Sequence, residues 1–110
     1  MQLKSLVFSL LKEGYFVVCC GGDHSMAVGS ISAARAFKRQ TRVCWVDAHA
    51  DVNTEKTSPS GNIHGMPVAI LAGLSEKLGA QFRCISLSSD LVYVGVRDTD
   101  PGERDVIQKH

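Results

Sequence analysis

The chain has 110 residues, a length that accommodates one domain at most. Twelve lysine and arginine residues against eleven aspartate and glutamate residues give a net charge of +1, which excludes a basic nucleic-acid arm and an acidic tail. Hydrophobic residues make up 45% of the sequence, too many for a disordered chain, and no apolar run approaches the ~20 residues that span a bilayer. We therefore expect a globular protein that binds neither nucleic acid nor a membrane.

The N-terminal part of the sequence predicts two helices separated by a strand. Apolar residues recur at helical spacing before Gly14 and predict an amphipathic helix that ends there, while the charged residues that follow the apolar stretch argue against a secretion signal. The continuous apolar run 15–20 predicts a strand that is buried on both faces, with a tight turn over residues 21–25. Small residues then predict a closely packed helix over residues 25–38.

The remaining sequence continues the alternation of strands and helices and ends in a polar, helical segment. We predict strands at residues 41–46 and 91–96 and a helix at residues 65–78. Loops are predicted at residues 52–62 and 86–90, and a turn at residues 97–102. This alternation predicts an α/β domain with a parallel sheet, in which functional residues collect at the carboxyl ends of the strands. Each predicted strand end here carries acidic residues or a histidine.

Four cysteines stand at positions 19, 20, 44 and 84, and no two of them form a Cys-x-x-Cys pair. This spacing does not indicate a zinc knuckle or a thioredoxin-type site. We expect buried free thiols in a reducing compartment.

The residues Asp47, His49 and Asp51 alternate directly after a predicted strand. In an extended backbone all three side chains project to one side, and oxygen and nitrogen ligands without thiolates favour Mn, Mg, Fe or Zn. His24, at the end of the neighbouring strand, would complete the cluster, and a bridging carboxylate would allow two ions. Taken alone, His24 also fits an ordinary hydrogen-bonded histidine, and Asp23 fits a helix cap.

A second group of polar residues lies in the loop before the third predicted helix. Hydroxyl and amide side chains in this loop suit a carboxylate or hydroxylated ligand, although for the loop taken by itself a solvated turn region is the favoured explanation. His64 could act as a general acid because its pKa lies near neutrality, or it could be a surface histidine. Asp98 and Asp100 also fit a simple turn.

Four segments of the sequence resemble the arginases, in the arginase order and with similar spacing. They are Gly-Gly-Asp-His-Ser at 21–25, Asp-Ala-His-Ala-Asp-Val-Asn at 47–53, Ser-Gly-Asn-Ile-His-Gly-Met-Pro at 60–67 and Arg-Asp-Thr-Asp-Pro-Gly-Glu at 97–103. The first two resemble all ureohydrolases, and the last two resemble arginases specifically. The resemblance implies a three-layer α/β/α fold with a parallel sheet, and hydrolysis of L-arginine to L-ornithine and urea at two Mn²⁺ ions.

The resemblance also implies a role for each matching position. His24, Asp47 and Asp51 match ligands of one manganese ion, and His49 matches a ligand of the other, with Asp47 bridging. His64 matches a proton shuttle, and we group it with Asp51 as catalytic. The positions that match substrate-binding residues are Asn53, Ser58, Ser60 and Asn62 for the α-carboxylate, and Asp100 for the α-amino group, with Asp98 close by.

The sequence departs from the arginase pattern in what it lacks. The Asp-x-Asp strand that supplies further ligands is missing, as is the N-terminal strand region, so residues 1–110 are expected to form a partial arginase domain. With only His49 and Asp47 as ligands, the second ion is expected to be lost or very weakly bound. Three readings stay open: a piece of a working arginase, a non-catalytic truncated isoform, and an agmatinase-like enzyme. The resemblance implies a cytoplasmic protein, with a mitochondrial one left open, and a homo-oligomer, a trimer or hexamer, when full length.

Overall fold

Two helices contact each other at the N-terminal end of the computed structural model, which describes residues 2–110. Helix α1 spans Gln2–Lys12 and helix α2 spans Met26–Phe37. Gly29 of α2 allows their close approach, because a Cβ at this position would lie 3.2 Å from the side chain of Leu3. The predicted amphipathic helix before Gly14 and the predicted second helix are both confirmed.

Two strands form a parallel sheet. Strand β1 spans Val43–Val46 and strand β2 spans Leu91–Val94, with Val43 opposite Leu91 and Trp45 opposite Tyr93. Between them lie a short 3₁₀ helix and three α-helices, and a last helix follows β2. Their bounds are Ile63–Gly65 for the 3₁₀ helix, Pro67–Ala72 for α3, Gly79–Phe82 for α4, Leu87–Asp90 for α5 and Pro101–Lys109 for α6. The predicted α/β architecture with parallel strands is confirmed.

The hydrophobic core lies on one face of this sheet. Val43 and Trp45 of β1 belong to the same buried cluster as Val28 of α2 and residues 68–71 of α3. The side chains that alternate with them point away from this core and are exposed: Cys44, Val46, Val92 and Val94. Within residues 2–110, therefore, the sheet has a helical layer on one face, and the incomplete three-layer fold lacks its second.

The predicted buried strand at residues 15–20 is wrong. This segment forms no strand in the part of the chain that the structure describes, and Phe16 and Val18 are 93% and 72% exposed. A strand is stabilised by pairing with a neighbouring strand and by packing on the sheet. Among residues 2–110 the sheet contains only β1 and β2, so residues 15–20 pair with no strand. The expected burial of the thiols is also wrong in part, since all four cysteines are free but Cys20 and Cys44 are exposed.

The single helix predicted over residues 65–78 is also wrong, because α3 ends six residues earlier at Ala72. Gly73 has a φ of 81°, a left-handed conformation that ends helices, and a Cβ there would lie 2.6 Å from the side chain of Arg83. The predicted loop 86–90 contains the four-residue helix α5.

The predicted helical C-terminal segment is confirmed as α6. Asp100 begins this helix with a reciprocal capping box, in which its carboxylate accepts from the backbone N–H of Glu103 at 2.9 Å. None of the helices among residues 2–110 combines the length and the apolar character that crossing a membrane requires.

Candidate active site

The candidate site lies at the carboxyl ends of the two strands. The segment after β1 is tied to the segment after β2, because the backbone N–H of Asp47 donates to the carbonyl of Val94 at 3.1 Å. The backbone N–H groups of Arg97 and Asp98 both donate to the carbonyl of Ala48, at 2.9 and 3.0 Å. These bonds bring the acidic residues that follow the strands to one edge of the sheet, as the topology of a parallel sheet predicts.

His24, Asp47 and Asp51 form a cluster in which one ligand atom from each residue lies within 4.8 Å of the others. The His24 Nδ1 atom lies 2.8 Å from an oxygen of Asp51 and 3.4 Å from an oxygen of Asp47. One imidazole nitrogen and two carboxylates form a donor set that suits a hard divalent cation such as Mn²⁺. The three residues predicted to hold the first ion are therefore close enough to share one.

The two carboxylates of this cluster have different environments. Burial is the main cause that raises the pKa of Asp51, and the neighbouring charge of Asp47 raises it further. In contrast, a hydrogen bond from the backbone N–H of His49, at 2.9 Å, lowers the pKa of Asp47. Asp51 also has a φ of 50°, the only positive φ of a non-glycine residue among residues 2–110. A buried carboxylate beside a second one is the arrangement that a cation would neutralise.

His49 lies beside this cluster and not within it. Its Nδ1 atom is 3.3 Å from an oxygen of Asp47, and its Nε2 atom is 3.5 Å from an oxygen of Asp98. Among the described residues, His49 and Asp47 are thus the pair placed to serve a second ion. Binding of either ion by these residues stays a prediction.

A cavity of about 240 Å³ adjoins the cluster. Most of the residues predicted to be catalytic or to bind substrate line it, together with Pro59, Gly65 and Glu103. The predicted residues in its lining are His49, Asp51, Asn53, Ser58, Ser60, His64 and Asp100. Asn62, Asp98, His24 and Asp47 are not in the lining, although Asp98 and Asp47 contact His49.

Hydrogen bonds within the cavity wall decide which polar groups can bind a ligand. The hydroxyl oxygens of Ser58 and Ser60 accept from backbone N–H groups at 3.0 and 3.2 Å, so each O–H hydrogen is left to donate. Asn53 is buried and already bonded, since its amide donates to Asp100 at 2.6 Å and accepts from Thr57 at 2.7 Å. The serines are therefore better placed than Asn53 to meet an anionic group.

The sequence profile of the Arginase family matches residues 1–110. This chain belongs to the arginase family. It is 47% identical to the arginase of Neurospora crassa, over 99% of this chain and 34% of that protein, and 44% identical to arginase-1 of Rattus norvegicus, over 97% and 35%. The crystal structure of the arginase from Bacillus cereus superposes with a TM-score of 0.89 at 38% identity, over 98% of this chain and 38% of that one. The chain thus spans about a third of the length of the arginases that it matches.

Three residues near the arginase-like motifs were not singled out from the sequence. Glu103 is 5% exposed, lines the cavity and accepts from the backbone N–H of Val52 at 3.4 Å, and burial raises its pKa. The spacing of Asp100 and Glu103 is that of a capping box and could have revealed it. Tyr93 donates to the carbonyl of Ala50 at 2.7 Å, and the ring of Trp45 stacks on His24, neither of which has a local sequence signal.

Proposed function

We propose that the protein to which this chain belongs hydrolyses L-arginine to L-ornithine and urea with manganese as its cofactor. The observation that carries this proposal is the cluster of His24, Asp47 and Asp51 at the sheet edge, beside a cavity lined by hydroxyl and carboxylate groups. Family membership supports the reaction type, and the donor set supports the class of metal.

In the proposed site His24, Asp47 and Asp51 would hold one ion, and His49 together with Asp47 would hold the other. Manganese, when bound, supplies the Lewis acidity that makes a water molecule nucleophilic near neutral pH. Such activation is needed because the guanidinium carbon is stabilised by resonance and is a poor electrophile. Asp51 combines ligation with burial, which keeps its charge close to the ion and away from bulk water.

The cavity wall binds the amino-acid end of the substrate in this proposal. The free hydroxyl hydrogens of Ser58 and Ser60 donate to the α-carboxylate, with Asn53 and Asn62 in the same loop. Asp100 accepts from the α-ammonium group, with Asp98 close by. These contacts direct the guanidinium group toward the cluster and select for a substrate with a carboxylate.

His64 completes the reaction as the proton donor. Water adds its oxygen to the guanidinium carbon and gives up both of its protons. The bond from that carbon to the side-chain nitrogen of ornithine breaks, and this nitrogen takes up two protons in all. His64, which is exposed and lines the cavity, transfers a proton to the departing amine. The products are urea and ornithine, and water restores the proton on His64.

A non-catalytic role for the 110-residue chain by itself is the second candidate. Two observations favour it. His49 contacts the carboxylates of Asp47 and Asp98, of which only Asp47 matches a metal ligand of the arginases, and the chain spans 34% of the length of a matching arginase. Two protein ligands are few for a hard divalent ion. We expect the isolated chain to be inactive or very weak.

Urea release with excess Mn²⁺ tests both candidates. A longer polypeptide that contains residues 1–110 is assayed with L-arginine and with agmatine, beside Asp47→Asn and the exposed control Asp105→Asn. Urea from arginine that Asp47→Asn abolishes and Asp105→Asn preserves is the expected result, and no urea from either substrate would refute the proposal.

Two further outcomes refute parts of it. Turnover of agmatine without turnover of arginine would refute the carboxylate-binding role of residues 58–62 and favour an agmatinase. Robust turnover by the isolated 110-residue chain would refute the loss of the second ion.

A further inference from the structure

The indole of Trp45 lies directly against the imidazole of His24. Their ring centroids are 4.6 Å apart and their planes are inclined by 24°, which is a stacked arrangement. Trp45 is 4% exposed in strand β1, whereas the side chain of His24 is 41% exposed in the turn before α2. The buried Trp45 ring therefore supports His24, a candidate metal ligand. His24 lies in a turn that begins with two glycines, and turns are generally more mobile than strands.

The contacts of His24 with carboxylates do not by themselves fix the plane of its ring. They all converge on one atom, Nδ1, which lies 2.8 Å from Asp51 and 3.4 Å from Asp47. Small coupled changes of the two side-chain torsions can tilt the ring while Nδ1 stays close to both carboxylates. Stacking on a flat indole opposes this tilt, and it does so whether Nδ1 donates a hydrogen bond or ligates an ion.

Burial alone does not explain an indole at this position. Trp45 faces the same core as Val43, where an aliphatic side chain would fill the space without a polar atom. The indole Nε1 is the only buried side-chain nitrogen or oxygen among residues 2–110 that lacks a hydrogen-bond partner, and an unpaired buried donor is destabilising. The ring face that His24 covers is what the indole provides beyond an aliphatic residue.

We infer that Trp45 is a positioning residue for His24, which holds the imidazole in the orientation that binds a divalent cation. The inference rests on the proposed metal site, and it assigns to Trp45 a role in metal affinity and no contact with substrate.

Metal affinity of matched variants tests this inference. Free Mn²⁺ is measured by electron paramagnetic resonance during titration of the wild-type protein, Trp45→Leu, Trp45→Phe and the core control Val43→Ala. We expect Trp45→Leu to bind Mn²⁺ about 3- to 10-fold more weakly, and Trp45→Phe, which keeps a ring, to bind within about 2-fold of wild type. Val43→Ala should lower stability without changing the affinity.

The outcomes separate this inference from the proposed site. Unchanged affinity in Trp45→Leu, or an equal loss in Val43→Ala, would overturn the role of Trp45 and leave the metal site intact. No Mn²⁺ binding by the wild-type protein would overturn the metal site and this inference with it.

A measurement on the unmodified protein covers the case in which Trp45→Leu does not fold. Trp45 is the only tryptophan among these 110 residues, so in the 110-residue chain its fluorescence reports on this position alone. Paramagnetic Mn²⁺ bound at His24 should quench this emission. The Mn²⁺ concentration at half-maximal quenching should equal the midpoint of the electron paramagnetic resonance titration. Saturating Mn²⁺ without quenching would mean that His24 does not stay against the indole in the loaded site, and would overturn the inference.

Discussion

Replacing Asp51 with asparagine distinguishes two effects of this carboxylate on stability. It repels Asp47 in the metal-free fold, and it should contribute to stabilisation of the fold by a bound ion. The ligand atoms of Asp51 and Asp47 lie within 4.8 Å, where two full charges repel by about 3 kcal/mol at an effective dielectric constant of about 20. The 2.8 Å contact with His24 offsets part of this repulsion. Asparagine keeps an acceptor for His24 and tolerates the φ of 50°. We therefore expect Asp51→Asn to stabilise the metal-free fold by about 1 kcal/mol.

Manganese should reverse this order of stabilities. A ligand at 100 times its dissociation constant stabilises the fold that binds it by about 2.7 kcal/mol. Loss of a group that only supports a ligand weakens metal affinity about 10- to 100-fold, so loss of the Asp51 carboxylate itself should exceed about 100-fold. At the same Mn²⁺ concentration the variant gains about 0.4 kcal/mol or less, and the wild-type protein becomes the more stable by about 1 kcal/mol.

Urea unfolding followed by far-UV circular dichroism, in EDTA and in Mn²⁺, measures both halves of this prediction. Asp105→Asn removes a carboxylate from the exposed face of α6 and is the charge-matched control, which Mn²⁺ should stabilise as much as the wild type. Lower stability of Asp51→Asn in EDTA would refute the assigned repulsion. Equal stabilisation of Asp51→Asn and wild type by Mn²⁺ would mean that the ion does not use Asp51.

Three other perturbations test the surroundings of the site. The guanidinium of Arg35 donates to the backbone carbonyls of Cys84 and Thr41 at 2.7 and 2.6 Å and to the carboxylate of Asp90 at 3.0 Å. Urea unfolding should therefore show that Arg35→Ala lowers the free energy of unfolding by about 2–4 kcal/mol, and Arg35→Lys by about half as much. Hydrogen bonds, chiefly the one from the Ser75 hydroxyl, lower the pKa of Glu55 from 4.5 to about 2. The stabilisation that ionised Glu55 contributes is therefore complete above pH 4.5 and is lost as the pH falls toward 2. Acid unfolding should show this pH dependence, and Glu55→Gln should reduce it. The apolar sheet face, on which Val46 and Val94 are 73% and 45% exposed, should cause the isolated chain to self-associate, which light scattering would detect. The double variant Val46→Lys and Val94→Lys should reduce this association, with an unfolding free energy within about 0.5 kcal/mol of wild type.

Opposite outcomes would contradict these three predictions separately. A loss below about 1 kcal/mol in Arg35→Ala would place its bonds among ordinary surface contacts. Acid unfolding unchanged by Glu55→Gln would mean that Glu55 is not protonated more easily in the unfolded chain. Unchanged self-association of the double variant would mean that the exposed sheet face is not the surface that associates.

The elements that could be predicted from the sequence are those with local signals. Helical spacing before Gly14 and the polar C-terminal segment behind Asp100 carry such signals, and both helices form. The run 15–20 has the composition of a buried strand, but composition does not provide the neighbour that a strand needs. Gly73 could have been identified as the end of α3, since glycine is the residue that most often follows a helix in the left-handed conformation.

The candidate site was predictable to a similar extent and for a similar reason. Parallel strands carry the residues at their carboxyl ends to one edge, which is sufficient to expect Asp47 and Asp51 there. His24 joins them although the strand predicted before it does not form, so the reason for expecting it at this edge was wrong. The stacking of Trp45 on His24 depends on the angle between a turn and a strand, which no sequence spacing specifies. Likewise, the alternation of residues in the sequence does not reveal that the side-chain amide of Asn53 donates a hydrogen bond to Asp100.

The bonds around residues 47–53 explain why the first ion's cluster can form within about a third of an arginase length. Several anchors of this segment come from β2 or from the residues that follow it, and α3 adds another, because the backbone N–H of Val68 donates to the carbonyl of Asp51 at 3.0 Å. Asp47 bonds to Val94, the hydroxyl of Tyr93 bonds to the carbonyl of Ala50, and Glu103 accepts from the N–H of Val52. The carboxylates are therefore held by contacts internal to the chain. Among the described residues only His49 and Asp47 match ligands of the second ion, which we expect to bind more weakly. The isolated chain should therefore bind an ion at His24 and lack catalysis.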